Sequence, residues 1–75
     1  MTKKEISEIE NVLNEYSFMK MLHLKNGSIE DFDAYFAKEF AVCKLLSILG
    51  YRTRLERKAE REGITYNHYK AEKWS

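Results

Sequence analysis

Few residues in this 75-residue chain have side chains suited to catalysis or metal binding. Cys43 is the only cysteine, so no intrachain disulfide can form. Together with His23 and His68, at unrelated spacings, it cannot furnish the four ligands of a structural zinc site. Neither histidine has an acid or a cysteine at ligand spacing. Acid pairs such as Glu8/Glu15 and Asp31/Asp33 read as solvated helix faces. Gly27, Gly50 and Gly63 are isolated helix terminators rather than a phosphate-cradling loop. A chain this short also has little capacity to enclose a deep pocket. The expectation is a non-enzymatic protein with no cofactor and no metal.

The remaining chemistry is recognition, and two sets of residues compete for it. One is basic. Residues 1–49 hold six lysines against eight acids, whereas residues 50–75 hold seven Lys/Arg against four glutamates. The segment Leu55–Trp74 resembles a helix-turn-helix unit. Ala59 stands at its small position, Gly63 at the turn, Ile64 and Tyr69 at apolar positions, and Thr65 at the cap of a second helix. Lys58, Glu62 and Glu72 depart from its apolar pattern. The resemblance implies nucleic-acid contact through Tyr66, Asn67, His68 and Lys70, with Arg52, Arg54, Arg57, Lys58 and Arg61 on the phosphates.

The other set is apolar. Phe18, Met21 and Leu22 point round the end of the first helix and are expected to form a protein-partner surface, with Trp74 as a second anchor. Ala34, Ala37, Ala41, Leu45 and Ile48 fall on the side of the central helix opposite its core stripe and are expected to mediate self-association, a dimer being favoured; short C-terminal helices are expected to cover Leu45 and Ile48 in part, leaving the alanine end open.

These residues must be positioned by a few elements. Residues 28–50 form the central one, with 14 apolar residues among the 21 from Ile29 to Leu49. That length favours helix over strand. Ser28 suits the N-cap and Gly50 the C′ position. Thr2 and Glu5 match a capping box, which starts a first helix at Lys3. It runs to about residue 24, although Phe18–Leu24 taken alone also reads as a strand. Two helices of roughly 30 Å joined at Lys25–Ser28 make an antiparallel hairpin. Thr53 and Glu56 suggest another capping box and a helix from about 54 to 62. Thr65 caps a last helix from 66 to about 74. The alternation Ile64, Tyr66, His68 also reads as a strand, but no partner strand is evident.

The expected fold is therefore all-α: residues 1–75 as one small helical bundle, a long antiparallel hairpin plus one or two short C-terminal helices. A domain of this size supplies roughly 3–5 kcal/mol from a single core, which favours oligomerisation. No uncharged run approaches the length of a membrane span, and no signal peptide is read at the start. The lone cysteine suits a reduced, cytoplasmic setting. The compact, proline-free, lysine- and tyrosine-rich style resembles small reading frames of phages and mobile elements. That implies a module which binds and modulates a host protein. The alternative is a small nucleic-acid-binding regulator.

Overall fold

A computed structural model describes residues 1–74. Two helices, α1 (Lys3–Lys25) and α2 (Ile29–Ile48), are followed by two strands, β1 (Tyr51–Arg61) and β2 (Ile64–Lys73). The first helix begins at the capping box: Glu5 N–H donates to Thr2 Oγ1 at 3.1 Å, and Thr2 N–H donates to Glu5 Oε1 at 2.7 Å. It continues without a break through Phe18–Leu24. It closes in a Schellman motif, with Gly27 at φ +74° and the Ser28 N–H donating to His23 O at 2.9 Å. Ser28 does not cap α2 through its side chain. Its hydroxyl donates to Asp31 Oδ2 at 2.6 Å instead.

The C-terminal third corrects the all-α expectation. Residues 51–73 contain no helix; they form a two-stranded antiparallel sheet, so the class is α+β. Tyr51 pairs with Lys73 at the open end and Arg61 with Ile64 at the closed end, with a bulge between Leu55 and Arg57. The strand partner missing from the sequence reading is the charged segment that was expected to be the third helix. Glu62 and Gly63 both have positive φ, +53° and +76°. That is the pattern of a two-residue type I′ turn, whose twist matches that of paired strands. The helix-turn-helix resemblance fails for the same reason, because its would-be recognition helix is β2.

Extension changes how far the segment reaches. Strands rise about 3.3 Å per residue against 1.5 Å for a helix, so an 11-residue strand is about as long as the helical hairpin. The sheet therefore runs the full length of the helices. One cluster joins Ile6, Leu13, Leu46 and Ala71, with Ile9, Val42, Cys43, Tyr51 and Tyr69 packed around it. At the turn end Phe18 is buried, its ring 5.4 Å from that of Tyr66 and 4.1 Å from the Arg61 guanidinium. Between the helices, Lys20 Nζ donates to Glu39 Oε1 at 3.2 Å and lies 3.0 Å from Oε2, both side chains being largely buried.

The two sheet edges are treated differently. Along the outer edge of β2, α1 offers Glu10, Asn14 and Ser17, spaced so that they share one helix face. Asn14 Nδ2 donates to Tyr69 O and its Oδ1 accepts from Tyr69 N–H. Ser17 Oγ donates to Asn67 O at 2.7 Å, and Glu10 Oε2 accepts from Ala71 N–H at 2.7 Å. Main-chain groups that a third strand would have engaged are thus satisfied by helix side chains. Among the described residues, the outer edge of β1 has no partner strand.

Candidate interaction surface

The sheet covers one side of the helical hairpin and leaves the other bare. On α1, Glu10, Asn14 and Ser17 hold β2, while Glu5, Glu8 and Val12 lie on the opposite flank. On α2, Leu46 is fully buried, but its neighbours in sequence are not: Leu45 is 59% exposed, Ile48 74% and Leu49 51%. A groove of about 610 Å³ runs between the two helices on this side. Ile9, Val12, Val42 and Leu45 form its walls. Met1 and Leu49 lie toward its end, and Glu5 and Glu8 supply its acidic groups. At helical spacing, Ala34, Ala37 and Ala41 continue the Leu45–Ile48 stripe along α2, and all three are exposed. The five residues expected to mediate self-association therefore lie together on one accessible face.

The expected partner surface does not come together in this way. Phe18 is 2% exposed beneath Tyr66 and Arg61, and Met21 and Leu22 are half-buried. Two short C-terminal helices would not reach this end of the helical hairpin; the extended β-hairpin does. Trp74 lies at the other end of the sheet, where its N–H donates to Gly50 O at 2.9 Å, and its side chain is exposed. Exposed aromatics occur elsewhere. Phe36 and Phe40 of α2 are more than half exposed and fall, at 100° per residue, on the flank of Cys43.

The basic residues are largely engaged with carboxylates. Arg54 Nε lies 2.7 Å from Glu72 Oε1 and Arg52 Nη2 3.2 Å from Glu72 Oε2. Arg57 lies 3.6 Å from Glu56. Arg61 meets Glu15 at 2.8 Å and Glu62 at 3.6 Å. Hydrogen bonding to Arg54, and then to Arg52, holds the Glu72 carboxyl below its ordinary pKa. The Glu15 hydrogen bond raises that of Arg61. Tyr66 packs on Phe18, and Asn67 donates to the Tyr69 hydroxyl at 3.1 Å. Lys58 and Lys70 are exposed on separate strands, paired with Asn67 and Arg54 respectively. The arrangement is a hairpin laced by ion pairs rather than a row of free cations.

The groups with possible reactivity are dispersed. His23 stacks on Tyr35 at 5.3 Å, whereas His68 Nδ1 lies 3.2 Å from Glu56 Oε1 on the sheet. Burial raises the Cys43 thiol pKa, outweighing the opposing pull of the Thr53 hydroxyl. Among the described residues, no three of His, Cys, Asp or Glu converge as metal ligands. No helix among them is long and apolar enough to cross a membrane.

Sequence reasoning missed the role of Glu10, Asn14 and Ser17. The available signal was composition. Asn and Ser are weaker helix formers than the Lys, Leu and Glu around them, and short polar side chains near a core stripe suit bonding to a neighbouring backbone. Comparison with protein-family models, curated proteins and solved structures found no match.

Proposed function

We propose that the chain is a non-enzymatic protein–protein interaction module that works as a homodimer, docking through the apolar face that α2 turns away from the sheet. The observation that carries this reading is the exposure of Leu45, Ile48 and Leu49 beside an open groove lined by Ile9, Val12 and Val42. Burying a large aliphatic side chain is worth about 1.5–3 kcal/mol. For a domain whose own core supplies only about 3–5 kcal/mol, covering three of them is a large gain. The stripe is continuous, as interaction surfaces tend to be, rather than scattered.

Nucleic-acid binding is the weaker reading. The affinity of such proteins rests on cations free to displace counterions from phosphates. Here four arginines of the basic segment lie within 3.6 Å of carboxylates. Catalysis is not part of the proposal either, since burial raises the Cys43 thiol pKa and the two histidines lie on different elements.

Sedimentation equilibrium tests the proposal. The expected mass for the wild-type chain is twice 9.0 kDa. The Leu45→Glu/Ile48→Glu double variant is expected at 9.0 kDa with an unchanged far-UV circular dichroism spectrum. A wild-type chain that stays monomeric up to hundreds of micromolar overturns it.

A further inference from the structure

We infer that two copies of α2 pack antiparallel about a twofold axis that passes through Ala41. This rests on the homodimer proposed above and assigns its register. The exposed stripe of α2 is Ala34, Ala37, Ala41, Leu45 and Ile48. Its intervals are three, four, four and three residues, so the spacing reads the same from either end. The side chains do not: the first half is small and the second half is large. Reversing a second copy over the first puts Leu45 of each against Ala37 of the other, and Ile48 of each against Ala34. Every large residue then meets a small one, and Ala41 meets itself. A parallel pairing would stack Ile48 on Ile48 and Ala34 on Ala34, which separates the helices at one end and leaves a gap at the other. Alanines at the crossing allow an interaxial distance near the short end of the usual range, about 8 Å. Such an interface is isologous, as closed twofold dimers require.

Charge supports the same register. The walls of the groove on the α1 side carry Glu5 and Glu8. Lys38 is exposed on the border of the α2 stripe that faces α1, its ammonium 4.6 Å from the centre of the Tyr35 ring and 5.8 Å from that of Tyr16. In the antiparallel pairing Lys38 of the second copy stands opposite position 44, next to Leu45, which lines the same groove as Glu5 and Glu8. A twofold axis keeps the α1 flank of one copy on the α1 flank of the other. Each Lys38 is thus directed to an acidic rim, twice per dimer.

Crosslinking in a Cys43→Ala background tests the register. Ala41→Cys, on the axis, is expected to form a disulfide-linked dimer by itself under mild oxidation. Ala34→Cys and Ile48→Cys are expected to link when mixed and not when alone. Lys38→Glu should weaken the dimer several-fold, and adding Glu8→Lys should restore it. If sedimentation gives a dimer while Ala41→Cys stays unlinked and the mixed pair does not link, the register is wrong and the homodimer stands. If the Cys43→Ala chain is monomeric at all concentrations although folded, the homodimer itself fails.

Discussion

Asn14 of α1 grips the main chain of Tyr69 from both sides, 55 residues along the sequence: its Nδ2 donates to Tyr69 O at 3.0 Å and its Oδ1 accepts from Tyr69 N–H at 2.6 Å. The side chain takes the place of a neighbouring strand. Removing it leaves an amide and a carbonyl in a largely buried seam without partners, at a cost of about 1–3 kcal/mol each. Asn14→Ala is therefore expected to lower the unfolding free energy by about 2–4 kcal/mol, measured by urea titration followed by circular dichroism. Ser17→Ala, which frees one carbonyl, should cost less than Asn14→Ala. A change below about 0.5 kcal/mol for Asn14→Ala would show that the clamp contributes little.

The turn is expected to respond in opposite directions to two substitutions. Glu62 holds φ +53° with a side chain that adds only a 3.6 Å exposed pair to Arg61. Asparagine tolerates this conformation better than other residues, so Glu62→Asn should raise stability by a few tenths to about 1 kcal/mol. Gly63, at φ +76°, has the Lys25 ammonium as its nearest neighbour, 3.6 Å from where a Cβ would stand. There is room for a methyl group, but the backbone conformation is strained for any L residue. Gly63→Ala should cost about 1–2 kcal/mol, and a melting temperature equal to wild type would contradict that.

Two phenylalanines, one on each helix, separate core from surface. Phe18 is 2% exposed and Phe40 61%. Truncating a buried phenylalanine costs about 3–5 kcal/mol, comparable to the whole stability of a domain of this size. Phe18→Ala is expected to unfold the chain or leave it marginal, whereas Phe40→Ser should shift stability by less than about 0.5 kcal/mol. Thermal melts of the two variants side by side decide the matter, and equal melting temperatures would refute the burial assigned to Phe18.

The acid limb of stability should depend on Glu72. Its folded pKa is lowered, first by the Arg54 hydrogen bond and then by Arg52. A carboxyl with a folded pKa below its unfolded value adds stability above the unfolded value and loses it as pH falls through the folded one. Glu72→Gln should therefore flatten the fall in melting temperature between neutral pH and about pH 3. The variant should melt slightly below wild type at pH 7, by little because the pair is exposed, and the two curves should converge at low pH. Parallel curves for the two proteins would remove Glu72 from this role.

The helical hairpin was legible because its signals are local. The Thr2/Glu5 capping box, the glycines after Lys25 and Leu49, and the length of the apolar run all act within a few residues. The sheet was not, because strand formation in Tyr51–Arg61 depends on its partner. Arg, Lys and Glu fill this segment and favour helix in isolation, and Thr53 with Glu56 imitates a cap. Pairing with Ile64–Lys73 and docking on α1 override that preference, as context commonly does for strands. The same error misplaced the surface. Phe18, Met21 and Leu22 would be uncovered beneath compact C-terminal helices, and the extended hairpin covers Phe18. The second apolar side of α2 was readable, but its Leu45–Ile48 end was expected to lie partly under short C-terminal helices, and with a sheet in their place it is exposed.

The unequal edges of the sheet limit how copies of this protein can stack. Growth of a fibre by strand addition needs two open edges on every molecule, one to receive and one to offer. Here Glu10, Asn14 and Ser17 occupy the edge of β2. If two molecules met at β1, they would make one four-stranded sheet with an α1 helix sealing each outer side, and addition would stop there. Strand addition by itself therefore ends at two molecules, and the charged residues of β1 further disfavour that first pairing.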